Sequence, residues 1–211
     1  MTAITAVSAR LPVALSGLLL VGFLILHLTG VSIALPDPDL FEHWAASLHH
    51  SFWLPLAELA LLAIALTHAL LSLLKRLLNM RAGNTAQLRS RRRDPLGPLA
   101  AVAARSQGPA GLVLLVFLVL HLIQLRLHRP PDGSELLALQ TVLAQPLNLL
   151  LYVLAALALA LHLFHGGEAA HRSLGFLNPA NAGRIRLTAR ILAITLGGGF
   201  TVVTLGIGLL R

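Results

Sequence analysis

The chain has 211 residues, of which 56% are hydrophobic and only 11% are charged, and its mean hydropathy is +0.81. A soluble domain of this length is far more polar, so the composition excludes that class and indicates an integral membrane protein. The net charge of +8 does not indicate a nucleic-acid partner, because the basic residues lie between the apolar runs. The sequence contains no cysteine, which excludes disulfides, thiolate-bound iron–sulfur clusters and covalent c-type haem.

Five apolar runs reach the length of about 20 residues that crosses a hydrocarbon core of roughly 30 Å. In lipid, a single run of this kind satisfies its backbone hydrogen bonds as a helix. We therefore predict an all-α membrane protein with one domain over residues 1–211 and five transmembrane helices. The predicted spans, in chain order, are residues 11–35, 55–78, 108–127, 146–165 and 187–210.

Basic residues are distributed unevenly between the two ends of these spans. If the N-terminus is placed on one side, 13 of the 16 Lys and Arg residues fall on that same side. They are Arg10, the basic residues from Lys75 to Arg105, and Arg172, Arg184, Arg186 and Arg190. The positive-inside rule therefore predicts a cytoplasmic N-terminus and a cytoplasmic loop at residues 79–107. This loop either only fixes the topology or also docks a soluble partner or anionic lipid headgroups.

A histidine-containing stretch of the first span is repeated in the third. The sequences "GLLLVGFLILHL" and "GLVLLVFLVLHL" lie 94 residues apart and agree at 8 of 12 positions. At the same offset of 94 residues, the histidine of the second span aligns with the histidine of the fourth span. Each half of the repeat therefore has two histidines that are 41 residues apart. Four helices thus carry one deeply placed histidine each: His27, His68, His121 and His162.

These four histidines predict a function inside the membrane. One such residue often only hydrogen-bonds a neighbouring helix, but four at a repeated spacing indicate a site, because ionisable groups are costly in lipid. Since alternate spans run in opposite directions, His27 can meet His121 on the outer side and His68 can meet His162 on the inner side. The helical rise places the two pairs roughly 14 Å apart along the membrane normal.

Proton relay, metal binding and haem ligation are the remaining uses of the paired histidines. None of the four histidines has an Asp or Glu close to it in the sequence. This absence disfavours a zinc or di-iron centre and a proton relay, since these usually include carboxylates. Two neutral imidazoles that face each other suit a six-coordinate b-type haem, whose filled axial positions favour electron transfer. We therefore predict two haem b groups whose irons are bound by His27 with His121 and by His68 with His162.

The chain resembles a known family in three features. Each of its first four spans carries one histidine that can bind iron, its fifth span carries none, and a basic loop follows the second span. This family is the di-haem cytochrome b membrane anchor of succinate dehydrogenases and fumarate reductases, in its single-subunit, five-helix form, and the resemblance covers essentially the whole chain. It implies a four-helix haem-binding core plus one peripheral helix. It also implies that His68 and His162 hold the proximal haem, and that His27 and His121 hold the distal one.

The resemblance further implies electron transport between membrane quinone and partner subunits. A flavoprotein and an iron–sulfur subunit on the cytoplasmic side would carry out the dicarboxylate chemistry of the tricarboxylic acid cycle. The quinone would be menaquinone, and the membrane a bacterial-type cytoplasmic membrane. On the residues alone, a haem conduit for another soluble dehydrogenase or reductase and a non-redox transporter with polar histidine sites stay open.

The resemblance also implies a quinone site near the distal haem. Glu58 lies ten residues before His68, hence about 15 Å farther out, and matches an acidic position of the family near that site. We expect Glu58 to donate or accept quinone protons; the alternative is a helix-end carboxylate in water. Arg126 follows His121 by five residues and is predicted to bind a haem propionate, or else to be a snorkelling topology residue.

Two further features of the sequence concern the fifth span and the remaining histidines. The "LGGGF" stretch of the fifth span either lets helices approach closely or lets a quinone ring or haem edge come near. The remaining histidines are predicted not to bind iron, and two of them, His49 and His50, are expected near the quinone entrance.

Overall fold

The computed structural model describes residues 10–81 and 96–209, and within these two ranges the chain forms helices and turns without a β-strand. Seven α-helices and one π-helical segment follow one another. They are α1 (Arg10–Ser32), α2 (Pro38–His49), α3 (Leu54–Arg81), α4 (Gly97–His121), the π-helix (Leu122–Leu127), α5 (Glu135–Leu143), α6 (Pro146–Ser173) and α7 (Ala182–Leu209).

Five of these helices are long and apolar enough to cross a membrane: α1, α3, α4 with the π-helix, α6 and α7. The five predicted spans are thereby confirmed as helices, although several of their bounds were wrong: α1 ends at Ser32 rather than at residue 35, α3 ends at Arg81 rather than at residue 78, and α7 begins at Ala182 rather than at residue 187. The two largest differences are in α4 and α6. Helix α4 begins eleven residues before the predicted start, within the predicted loop 79–107, and α6 continues past residue 165 to Ser173. Residues 82–95 of that loop, and position 210 of the fifth span, lie outside the described residues.

Local chemistry explains both extensions. Pro98 lies in the first turn of α4, where a missing N–H costs nothing, and an alanine-rich stretch continues the helix. Pro109 is accommodated inside the helix, as membrane helices often allow. Helix α6 ends in a Schellman cap, in which the N–H groups of Gly175 and Phe176 donate to the carbonyls of Arg172 (3.2 Å) and His171 (3.0 Å). Gly175 has a φ of 77°, which glycine adopts without strain.

Helices α2 and α5, which the sequence analysis did not predict, pack together at one end of the bundle, here called the short-helix end. Asp37 caps α2 by accepting a hydrogen bond from the Leu40 N–H at 3.0 Å. Glu42 of α2 accepts from the N–H groups of Glu135 (3.1 Å) and Leu136 (2.7 Å), so a side chain of one helix caps the other. The opposite end, here called the basic end, carries Arg10, Arg76, Arg105, Arg172, Arg184, Arg186 and Arg190.

Helices α6 and α7 form the closest-packed pair. A Cβ atom on Gly197 of the "LGGGF" stretch would lie 2.6 Å from Cβ of Ala160, and one on Gly199 would lie 2.6 Å from Cδ2 of Leu28. The expectation that this stretch serves close helix approach is thus confirmed. Helix α1 packs on α3, and α4 packs on α6. The four histidine-bearing helices therefore form two pairs, with two histidines in each pair.

Candidate functional site

The structure brings the four spanning histidines together in the two expected pairs. The ring centres of His27 and His121 are 6.1 Å apart with their planes at 78°, and those of His68 and His162 are 6.2 Å apart at 72°. Each pair joins helix pair α1–α3 to helix pair α4–α6. That these rings bind iron stays a prediction.

The ring spacing matches that of two ligands on one metal ion. With metal–imidazole bonds of about 2 Å, two opposed rings have nitrogens about 4 Å apart and ring centres about 6 Å apart. Aromatic rings in direct contact also have centres about 4.5–7 Å apart. The spacing alone therefore does not distinguish two metal ligands from two rings in contact. The hydrogen bonds of the rings decide which nitrogen faces the partner.

A chain of directed hydrogen bonds fixes the tautomer of His121. The Tyr152 hydroxyl donates to Oε1 of Gln124 at 3.1 Å, and Nε2 of Gln124 donates to Oδ1 of Asn148 at 3.0 Å. Because the Tyr152 proton is used in this way, its oxygen accepts from Nδ1–H of His121 at 3.2 Å. Nε2 of His121 is then left as the unprotonated nitrogen that a metal requires.

His68 is oriented by the first helix in the same sense. Its Nδ1 donates to the Val13 carbonyl at 3.1 Å, and the buried Ser16 hydroxyl lies 3.3 Å from the same nitrogen. Gly17 makes room for the ring, because a Cβ there would lie 3.0 Å from Cε1 of His68. Nε2 of His68 is again the nitrogen left for a ligand.

Gln107 performs the corresponding role for His162. Its Nε2 lies 3.3 Å from Nδ1 and 3.4 Å from Nε2 of His162, while its Oε1 is buried without a hydrogen-bond partner. A half-turn of the amide places Oε1 where it accepts from Nδ1–H, which satisfies the orphaned oxygen and frees Nε2 of the ring. Gly111 lies against this ring as Gly17 lies against the other: its Cβ would be 3.4 Å from Cε1 of His162.

Aromatic side chains support the pair at the short-helix end. Phe23 stacks on His27 with ring centres 5.4 Å apart, and Phe117, which follows it by the 94-residue offset, stacks on His121 at 5.3 Å. Phe200 of α7 adds a third contact, 5.9 Å from His27. Across the described residues, no hydrogen bond to the His27 ring is found, so packing sets its orientation.

Glu58 and Arg126, which were predicted to have separate roles, bind each other. The guanidinium donates from Nε to Oε1 at 2.6 Å and from NH2 to Oε2 at 2.7 Å. Arg126 lies on the π-helix that begins directly after His121, and π-helical turns are frequent at functional sites. The propionate role of Arg126 and the quinone role of Glu58 stay predictions, and any such role involves this ion pair.

His49 and His50 lie among charged side chains at the short-helix end. His49 Nδ1 is 3.1 Å from Glu135 Oε1, and His50 Nε2 donates to Asp132 Oδ2 at 2.8 Å. Arg129 also hydrogen-bonds Asp132. The hydrogen bond from His50 and the charge of Arg129 hold the pKa of the Asp132 carboxyl below its usual range.

The donor set fits bis-histidine haem ligation. Hydrogen bonds from Nδ1 of His68 and His121 leave Nε2 free on both rings, and Gly17 and Gly111 make room for the His68–His162 pair. Sequence reasoning did not find Ser16, Gln107 and Tyr152; their signal was polarity inside otherwise apolar helices.

Comparison of the chain with models of protein families, with curated proteins and with solved structures finds no match.

Proposed function

We propose that the chain is the membrane anchor and electron-transfer subunit of a succinate:quinone oxidoreductase. The observation that carries this proposal is the pair of facing histidine couples, with ring centres 6.1 and 6.2 Å apart. When bound, two b-type haems would supply one-electron transfer across the bilayer. The oxidation or reduction of the dicarboxylate belongs to partner flavoprotein and iron–sulfur subunits, since this chain has no cysteine for clusters.

The residues of this chain hold and insulate the proposed ligands. Tyr152 and the Val13 carbonyl keep the proton of His121 and of His68 on Nδ1, so Nε2 of each ring would be the atom that holds a haem iron. Phe23 and Phe117 stack on the two rings of the His27–His121 pair and shield them with apolar surface. An apolar surrounding of this kind favours rapid transfer of electrons without proton exchange at the ligands.

Glu58 is the proposed proton donor or acceptor for quinone. It lies on the second span beyond the His27–His121 pair, and a third of its side chain is exposed. Arg126 donates a hydrogen bond to each oxygen of the carboxylate, which fixes the orientation of this side chain. Menaquinone is the quinone we propose, by the family resemblance.

The basic end is the proposed docking side for the soluble partners. Its concentration of Lys and Arg supports the proposal that this end and the N-terminus face the cytoplasm. The bacterial-type inner membrane is proposed by the family resemblance. The same end carries the His68–His162 pair, which becomes the proximal one. Electrons would then travel from the basic end to the short-helix end, or in reverse.

The test is a reduced-minus-oxidised absorbance spectrum of the purified protein, with haem and chain quantified. We expect two b haems per chain, and one after either His27→Ala or His68→Ala. The exposed His43 provides a matched control, and His43→Ala should retain both. A spectrum without b-haem bands would refute the proposal and favour a non-redox transporter. If the protein binds two haems but co-purifies with a different dehydrogenase, the chain would instead be an electron-transfer subunit for that enzyme.

A further inference from the structure

A group of metal-ligating side chains lies at the short-helix end, apart from the four spanning histidines. His49, Asp132 and Glu135 each offer one ligand atom, and these atoms all lie within 4.8 Å of one another. His49 is the last residue of α2, whereas the two carboxylates belong to the turn before α5 and its first residue. His50 adds a second imidazole, 2.8 Å from Asp132.

The contact between His49 and Glu135 is short but is not a hydrogen bond. Nδ1 of His49 is buried and lies 3.1 Å from Oε1 of Glu135, yet the nitrogen has no aligned hydrogen-bond partner. Two ligands of a tetrahedral zinc ion with bonds of about 2 Å lie about 3.3 Å apart, which is close to this distance. The two atoms are thus placed as co-ligands rather than as donor and acceptor.

The fold holds the end of α2, which carries His49, close to the start of α5, which carries Glu135. Glu42, which lies two turns before His49 on the same face of α2, caps the first turn of α5 through two backbone N–H groups. This cap fixes the end of α2 against the start of α5, so the ligands need only small side-chain movements to close on an ion. Preorganisation of this kind lowers the cost of binding.

Arg129 is the internal competitor for the same oxygens. Its Nε lies 3.5 Å from Oε1 of Glu135, and its NH2 hydrogen-bonds Asp132. A guanidinium and a divalent cation cannot both neutralise these two carboxylates at close range, because their charges repel each other. Binding of a metal ion therefore requires Arg129 to turn away toward solvent.

We propose that His49, Asp132 and Glu135 form a zinc site that links α2 to α5. Mixed imidazole and carboxylate ligands suit Zn²⁺, whereas Mg²⁺ and Ca²⁺ prefer oxygen ligands alone. The site does not depend on haem binding or on the proposed redox function. Arg129 sets its affinity by competing with the ion.

The test is equilibrium dialysis of the purified full-length protein against Zn²⁺ in excess Mg²⁺, with zinc measured per chain. We expect one zinc ion per chain. His49→Ala should weaken binding at least tenfold, and His43→Ala, which removes an exposed histidine of the same helix, should leave it unchanged. Arg129→Gln should tighten binding about tenfold, since it removes a like charge from a partly exposed site.

Asp132→Asn offers a second variant at an exposed position, in case His49→Ala does not fold. It should also weaken zinc binding. Equal affinity in the wild type and in both ligand variants would overturn the proposal and assign the zinc to scattered surface histidines. If Arg129→Gln binds zinc more weakly than the wild type, the guanidinium does not compete with the zinc ion.

Discussion

The hydroxyl oxygen of Tyr152 lies 3.2 Å from Nδ1 of His121 and donates its own proton to Gln124. This arrangement lets the phenol act only as an acceptor toward the imidazole, so it stabilises one tautomer of the ring. Hydrogen bonds of this kind raise the basicity of a metal-binding histidine. The buried phenol ring also packs edge-on against Phe117, with centres 4.8 Å apart.

Replacement of Tyr152 by Phe should therefore separate these two contributions. The ring contact with Phe117 is retained, while the acceptor for Nδ1–H is lost. We expect both haems to bind, with the affinity of the one at His121 lowered about 10- to 100-fold. Its midpoint potential should rise, because a less basic imidazole stabilises the oxidised iron less. Potentiometric titration of the two haems measures the shift.

Thr201→Val is a suitable control for the tyrosine variant. Its hydroxyl bonds the Gly197 carbonyl of its own helix at 2.8 Å, so the substitution removes a polar group without affecting a ligand. Both midpoint potentials should stay at their wild-type values. Unchanged potentials in Tyr152→Phe as well would show that the phenol does not act on the ligand.

Gly17→Ala should disturb the His68–His162 pair. The new Cβ would lie 3.0 Å from Cε1 and 3.3 Å from Nδ1 of His68, closer than most real contacts of a Cβ atom. The ring must then move away from the Val13 carbonyl, and the haem-to-chain ratio should fall from two toward one. Haem content per chain, from the absorbance of the reduced protein, measures the loss.

Gly22 provides the matched control on the same helix. A Cβ at this position meets no atom within 4 Å, so Gly22→Ala should retain both haems. If Gly17→Ala also retains both with unaltered spectra, the cradle around His68 is not needed for binding. Loss of haem in both variants would point to a general defect of α1.

The sequence was sufficient to predict the spans and the pairing because both depend on periodic features. Apolar length determines which segments cross a membrane, and the 94-residue repeat places His27 opposite His121. The partners of the rings were not predicted, since Gln107 and Tyr152 contact residues 55 and 31 positions away in sequence. Polarity inside a span signals a role, but only the packing of helices shows which group it contacts.

Polar contacts between helices that are distant in sequence could not be predicted from the sequence either. The cap that Glu42 provides for α5 joins residues 93 and 94 positions apart, and no local pattern specifies it. The ion pair of Glu58 with Arg126 spans 68 positions. Separate roles were predicted for these two residues because each was considered only with its own helix.

Glu58→Gln tests the proposed quinone chemistry. The amide keeps the shape of the side chain but cannot exchange a proton, and general acid–base groups typically contribute about 10²- to 10⁴-fold to rates. We expect quinone-linked electron transfer to fall at least about 100-fold while both haems stay bound. Steady-state turnover with a soluble quinone analogue, normalised to haem, measures the change.

Glu168→Gln serves as the control at the basic end. Glu168 is also paired with arginines, at 2.8 Å from Arg172 and 3.0 Å from Arg186, so the substitution removes a comparable ion pair far from Glu58. Turnover should stay within about twofold of the wild type, because Glu168 lies near the end of α6 at the basic end, whereas Glu58 lies near the start of α3 at the short-helix end. Full activity of Glu58→Gln would exclude the carboxylate from proton transfer.

Two neighbouring glycines of α7 should respond in opposite directions to the same substitution. A Cβ on Gly197 would lie 2.6 Å from Cβ of Ala160 and 2.9 Å from the Ala156 carbonyl, so Gly197→Ala must push α6 and α7 apart. Overpacking of this kind costs about 1–3 kcal/mol. A Cβ on Gly198 meets nothing within 4 Å, and Gly198→Ala should stabilise by up to about 1 kcal/mol through helix propensity. Thermal unfolding in detergent measures both, and a Gly197→Ala protein as stable as Gly198→Ala would contradict the close approach of α6 and α7.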